Sequence, residues 1–262
     1  MTGFKQWFSG FCTAWEMLID RPLPRRITAR VQGCSPTSLQ IAAGFTLTGI
    51  TVGALLALLC GLLHISWLNL YVASGLFAAA AVFLAEYKDS GRGLRLLLSC
   101  IRRKLDDYDW IEAATEASAE DRSLEKSAGT LSAMLILLLE FICFALLAFH
   151  RASLWCIPLF SGAFTIQMLF ATLPRKMNMP PYLPIPENRK KAIWILPGLI
   201  ALTAFFIFPA AAIAAAAIVG GLGTILHKNF ILTAAPVTSD LITLSGKITE
   251  LILLLAGVIF IL

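Results

Sequence analysis

The longest polar stretch of this chain, residues 87–127, holds most of its acids, and Asp106, Asp107 and Asp109 follow there directly on Arg102, Arg103 and Lys104. On a helix, Asp106 and Asp109 are three apart and share a face. Two carboxylates on one face, with cations beside them, can hold Mg²⁺ against a phosphate. The same pattern also serves a solvated, charge-balanced amphipathic loop. A second set lies near the C-terminus, where Thr243, Lys247 and Glu250 follow Asp240 at offsets of three, seven and ten, one stripe of a helix. Glu250 falls at or below the level of lipid headgroups. An acid there is costly unless paired, and Lys247, one turn away, is its expected partner. Glu140, inside an apolar run, is the other membrane acid. Acids so placed serve a functional site or a hydrogen bond between helices.

The elements that must position these residues are membrane spans. Twenty of the 21 lysines and arginines lie in segments 1–40, 87–127, 174–191 and 227–247, separated by long apolar runs. Runs of about 20 apolar residues, rising about 1.5 Å each, cross a bilayer. The basic segments fall on alternate sides of these runs, so the positive-inside rule puts all four in the cytosol. Arg151 is the exception, in a short turn on the far side. The spans read as Ile41 to Leu63, Leu68 to Ala85, Thr130 to Phe149 and Leu154 to Leu173. Ala192 to Leu226 is too long for one span, and Phe208-Pro209 near its middle divides it into two that meet at an outer turn. Ile248 to Leu262 is a short last span with a polar lead-in. The expected fold is all-α, a single polytopic membrane domain over 1–262 of about seven transmembrane helices, with the N-terminus cytoplasmic and the C-terminus outside.

A mean hydropathy of +0.79 with 14% charged residues excludes an ordinary soluble domain. The formal charge of +5 calls for no nucleic-acid partner, because cytoplasmic loops beside anionic lipid are basic in any case. The N-terminus lacks the pattern of a signal peptide. Phe4, Trp7, Phe8, Phe11 and Trp15 recur there at helical spacing, which predicts a helix in the membrane interface leading into the basic remainder of 1–40. Cys12, Cys34, Cys60, Cys100, Cys143 and Cys156 show no metal spacing and read mostly as small buried hydrophobes. His64, His150 and His227 stand at span ends without clustering.

Several of these residues together resemble a known family. Thr238-Ser239-Asp240, with Glu250 ten residues after the Asp and a Leu/Ile run beyond it, resembles the C-terminal signature of cobalamin (5′-phosphate) synthase, or adenosylcobinamide-GDP ribazoletransferase. Pro22-Leu23-Pro24-Arg25-Arg26 is similar to that family's entry segment. Phe45-Thr46-Leu47-Thr48-Gly49, with Gly53 four further on, is similar to its first span. Leu105-Asp106 with Asp109, and Glu125 with Ala128-Gly129-Thr130, resemble its central motif more loosely. The similarity runs in order from about residue 15 to the end. It departs at Cys100 and Arg102, where the family has a His and an Asp. Ala235, Pro236 and Ser239 replace glycines that let a backbone approach phosphate. Lys126 and Ser127 depart as well.

The resemblance implies an Mg²⁺-dependent transfer on the cytosolic face of a bacterial inner membrane. A hydroxyl of α-ribazole, or of its 5′-phosphate, attacks the diphosphate of adenosylcobinamide-GDP, releasing GMP. It implies Asp106, Asp109 and Asp240 as metal ligands, with Glu125 a fourth acid in the same catalytic cluster. Arg25, Arg26, Arg102 and Arg103 would meet phosphate oxygens, where the guanidinium fork suits. Thr238 and Ser239 would donate hydrogen bonds to the nucleotide. Glu140 and Glu250 remain structural membrane acids. The implied partners are the bilayer, corrinoid and nucleotide small molecules, and either a second copy of the chain or other corrinoid-assembly enzymes. Two alternatives stay open: a catalytically silent relative acting as a scaffold or corrinoid binder, and another membrane phosphotransferase such as a CDP-alcohol enzyme, whose denser Asp signature is absent. Transport is disfavoured by the few membrane acids and the lack of repeated halves.

Overall fold

The computed structural model describes residues 2–19, 23–29, 33–66, 68–105, 127–173, 181–186, 205–213, 216–217, 220–221 and 237–261, and every regular element among them is helical. We number the main helices α1 (Thr2–Leu18), α2 (Arg25–Thr28), α3 (Ser38–Ile65), α4 (Leu70–Tyr87), α5 (Arg92–Leu105), α6 (Ser127–Phe149), α7 (Cys156–Ala171) and α8 (Ser239–Ile261). A 3₁₀ turn, Ser153–Trp155, leads into α7. Five helical segments, α3, α4, α6, α7 with its 3₁₀ lead-in, and α8, are long and apolar enough to cross a membrane. Each matches an apolar run of the sequence. The expected pair of spans within 192–226 lies mostly outside the described residues. At its centre the chain is helical over 205–207 and 209–213 but not at Phe208, where a break was expected before Pro209.

Local chemistry sets the helix ends. Thr37 and Gln40 form a reciprocal capping box that starts α3, with Thr37 N–H donating to Gln40 Oε1 at 2.8 Å. Asn69 caps α4 by accepting from Tyr71 N–H. The tight turn after α4 needs left-handed backbone at Ser90 (φ 56°) and Gly91 (φ 71°). Thr238 caps α8, its hydroxyl accepting from Leu241 N–H at 3.2 Å. With that cap, and with Asp240 in a first turn where the helix dipole favours an acid, α8 begins at Ser239. The last span is therefore a 23-residue helix, and residues 239–247, expected in a cytoplasmic loop, belong to it.

α7 is the hub. With its lead-in it is mostly buried inside the protein, whereas α6 is mostly exposed. Close approach to α3 depends on glycine, since a β-carbon at Gly49 would stand 2.5 Å from Ser161 Cα and one at Gly53 would stand 2.4 Å from Cys156 O. Thr46 and Thr165 share a buried hydrogen bond of 3.1 Å across the same interface. At the far end of α7, Trp155 is fully buried, donates its indole N–H to Leu253 O at 2.9 Å and meets Phe208 edge to face. α1 runs beside the first turns of α3 in the same direction, with Gly44 seated between Gly10 and Ala14. Phe4, Phe8, Phe11 and Trp15 stack along one side of α1.

Candidate functional site

Charged side chains gather where α4 ends and α8 begins. The stripe expected on α8 is present, and it carries Asp240, Lys247 and Glu250 to successive depths. Lys247 is buried, yet it pairs with Glu86 of α4, with Glu140 of α6 at 2.5 Å and with Glu250 at 3.6 Å. The closer partner of Glu250 is Lys88, which the sequence reading did not single out. The Lys88 ammonium also lies 5.1 and 5.5 Å from the ring centroids of Phe160 and Phe164. Aromatic faces and a carboxylate together make burial of that ammonium tolerable. Three helices distant in sequence are thus tied by one ionic network.

Nearer the mouth, Arg92 at the start of α5 pairs with Asp240 and donates to Ser239 Oγ at 3.2 Å. The arginine side chain is 40% exposed, so this pair meets solvent. Asp89 caps the first turn of α5 by accepting from Gly93 N–H at 3.1 Å. Burial pushes the Asp89 carboxyl above its usual range, against the pull of Lys88 beside it. α5 then packs on α8 through Leu96, Leu97, Cys100 and Leu244. Cys100, the residue that stands where the family has a histidine, is buried in this apolar seam.

Of the residues singled out from sequence, Ser239, Asp240, Lys247, Glu250 and Glu140 come to this end of the bundle. Thr238 is used as the cap of α8. Arg102 and Arg103 are in the last turn and a half of α5, and Arg25 and Arg26 are in α2; among these four only the Arg26 side chain is described, and it is exposed. Asp106, Asp109 and Glu125 lie outside the described residues. Glu86, Lys88 and Arg92 were missed, because an acid and bases bounding an apolar run look like an ordinary cytoplasmic boundary. The sequence signal was Glu86 itself, an acid at the close of an apolar run, one residue before the end of α4.

Of the three expected metal ligands, Asp240 alone is among the described residues. Its carboxylate is of the hard oxygen type that Mg²⁺ takes, and one of its oxygens pairs with Arg92. Among the described residues, no three His, Cys, Asp or Glu side chains are grouped to hold a metal ion. The six cysteines are free thiols, five of them buried, which fits their reading as small hydrophobes.

The fold and its charge placement define a class: an all-helical membrane protein with an ionic network buried between its helices. No family model, curated protein or solved structure matches this chain.

Proposed function

We propose that this chain is a multi-pass transferase of a bacterial inner membrane that joins adenosylcobinamide-GDP to α-ribazole, or its phosphate, at the cytosolic face and releases GMP. In this reading it has seven spans, with the N-terminus in the cytosol. The observation that carries it is the grip of Arg92 on Asp240 and Ser239. It binds the family-like Thr238-Ser239-Asp240 segment to α5, the helix that carries Arg102 and Arg103 and ends at Leu105, next in sequence to Asp106. Asp106, Asp109 and Asp240 would hold Mg²⁺, whose role when bound is to neutralise the diphosphate. Glu125 would add a fourth acid, and Arg25, Arg26, Arg102 and Arg103 would hold phosphate oxygens.

A second reading, a silent relative that binds corrinoid intermediates or acts as a scaffold, draws on one observation. The Asp240 carboxylate already has a cation partner, which weakens its claim on a metal. The purified protein in lipid, given Mg²⁺, adenosylcobinamide-GDP and α-ribazole, separates the two. GMP with a cobalamin product supports the transferase. Corrinoid binding without GMP, beside an active synthase control, supports the silent relative.

A further inference from the structure

Among the described residues, the buried ionic network does not balance. Lys88 and Lys247 supply two positive charges, while Glu86, Glu140 and Glu250 supply three negative ones, leaving one negative charge in excess. Four of the five side chains are 6% exposed or less, and Glu86 is 17% exposed. An uncompensated charge so far from water is strongly disfavoured. Asp89, beside the network, adds another acid, and Arg92 is engaged by Asp240 and Ser239.

One atom marks where positive charge is wanting. Lys247 pairs with Oε1 of both glutamates and Lys88 with Oε2 of Glu250, which leaves Glu140 Oε2, a buried carboxylate oxygen with no hydrogen-bond partner among the described residues. The network also comes near the surface at Glu86. An open groove of about 380 Å³, lined by Val82, Phe83, Tyr87, Ser90, Gly91 and Leu137, has Glu86 in its wall. Glu86 in turn pairs with Lys247 at the heart of the network.

We propose that this network is a binding site for one small monovalent cation, a proton or Na⁺, which enters along the groove at Glu86 and is held at Glu140. Occupancy neutralises the cluster. This inference is independent of the transferase reading and would hold for either function.

The test uses the full-length protein in phosphatidylcholine nanodiscs at neutral pH, with E140Q and E86Q beside it. Either variant removes the excess charge, and Glu86 lies at the edge, where the amide is readily accommodated. If Na⁺ is the ion, the thermal midpoint of the wild type rises with NaCl but not with equal choline chloride, and both variants lose that dependence. If a proton is the ion, the wild type shows no Na⁺ dependence. Its infrared spectrum then carries the carbonyl stretch of a protonated carboxylic acid, which both variants lack. A wild type with neither a Na⁺-dependent midpoint nor an acid band sensitive to these variants overturns the proposal.

Discussion

Lys247 of α8 stands 2.5 Å from Glu140 of α6, and both side chains are withdrawn from solvent. Each residue is forbidding alone in an apolar helix, and each makes the other acceptable. Glu140 therefore has a definite structural job, binding the third span of the sequence to the last.

Lys247→Met should be among the most damaging single changes. It leaves Glu140 without its ion-pair partner and strips Glu86 of its cation. Breaking a buried pair in this way costs about 3–5 kcal/mol. Thermal unfolding in detergent should show a large drop in midpoint, partly restored by adding Glu140→Leu. An unchanged midpoint would mean that the lysine is not bearing these charges.

Arg92→Ala should behave differently. Its pair with Asp240 is open to water, so its loss should cost about 1 kcal/mol or less in stability. If the pair positions Asp240 for phosphate chemistry, turnover should fall while the thermal midpoint hardly moves. Measuring both on one preparation separates the two effects.

Gly53→Val should wedge α3 from α7. The added β-carbon would meet Cys156 O at 2.4 Å, a backbone atom that cannot swing aside. Overpacking of this kind costs about 1–3 kcal/mol. Gly61→Val, where nothing lies within 4 Å of the new atom, is the matched control and should leave the midpoint nearly unchanged.

The pH dependence of stability should carry a contribution from Asp89. Burial raises its carboxyl pKa above the ordinary value of 3.8, so the folded state holds the proton to higher pH than the unfolded state does. The stability from this group is fully present below the unfolded pKa and is lost as pH rises through the folded pKa. Asp89→Asn keeps an acceptor for Gly93 N–H without titrating. Wild type and variant should be closest in acid and diverge in favour of the variant as pH rises. A gap that does not change with pH would contradict this.

Five of the expected spans were legible because lipid imposes a simple rule: about 20 apolar residues bounded by charged ends. Gly49 and Gly53 were visible as a motif, though only the fold shows that they seat Phe160, Ser161, Cys156 and Ile157 of the α7 region. The polar start of α8 read as one stripe of a helix, but its nine residues were left outside the span, because Asp240 and Lys247 lower its hydropathy while its cap and partners hold it in one helix. Pairing was the least legible feature. Glu250 was expected to lean on Lys247, three residues away, and does so at 3.6 Å, yet its closer cation is Lys88, 162 residues distant. Spacing along one helix reveals a charged stripe but not which other helix supplies the counter-charge.

The most direct measurement of the proposed function is GMP release from adenosylcobinamide-GDP by the wild type and Asp240→Ala, side by side in the same lipid with Mg²⁺ and α-ribazole. The account predicts turnover by the wild type and its abolition in the variant, with both proteins equally folded. No GMP from a folded wild type, or a near-normal rate from Asp240→Ala, would contradict it.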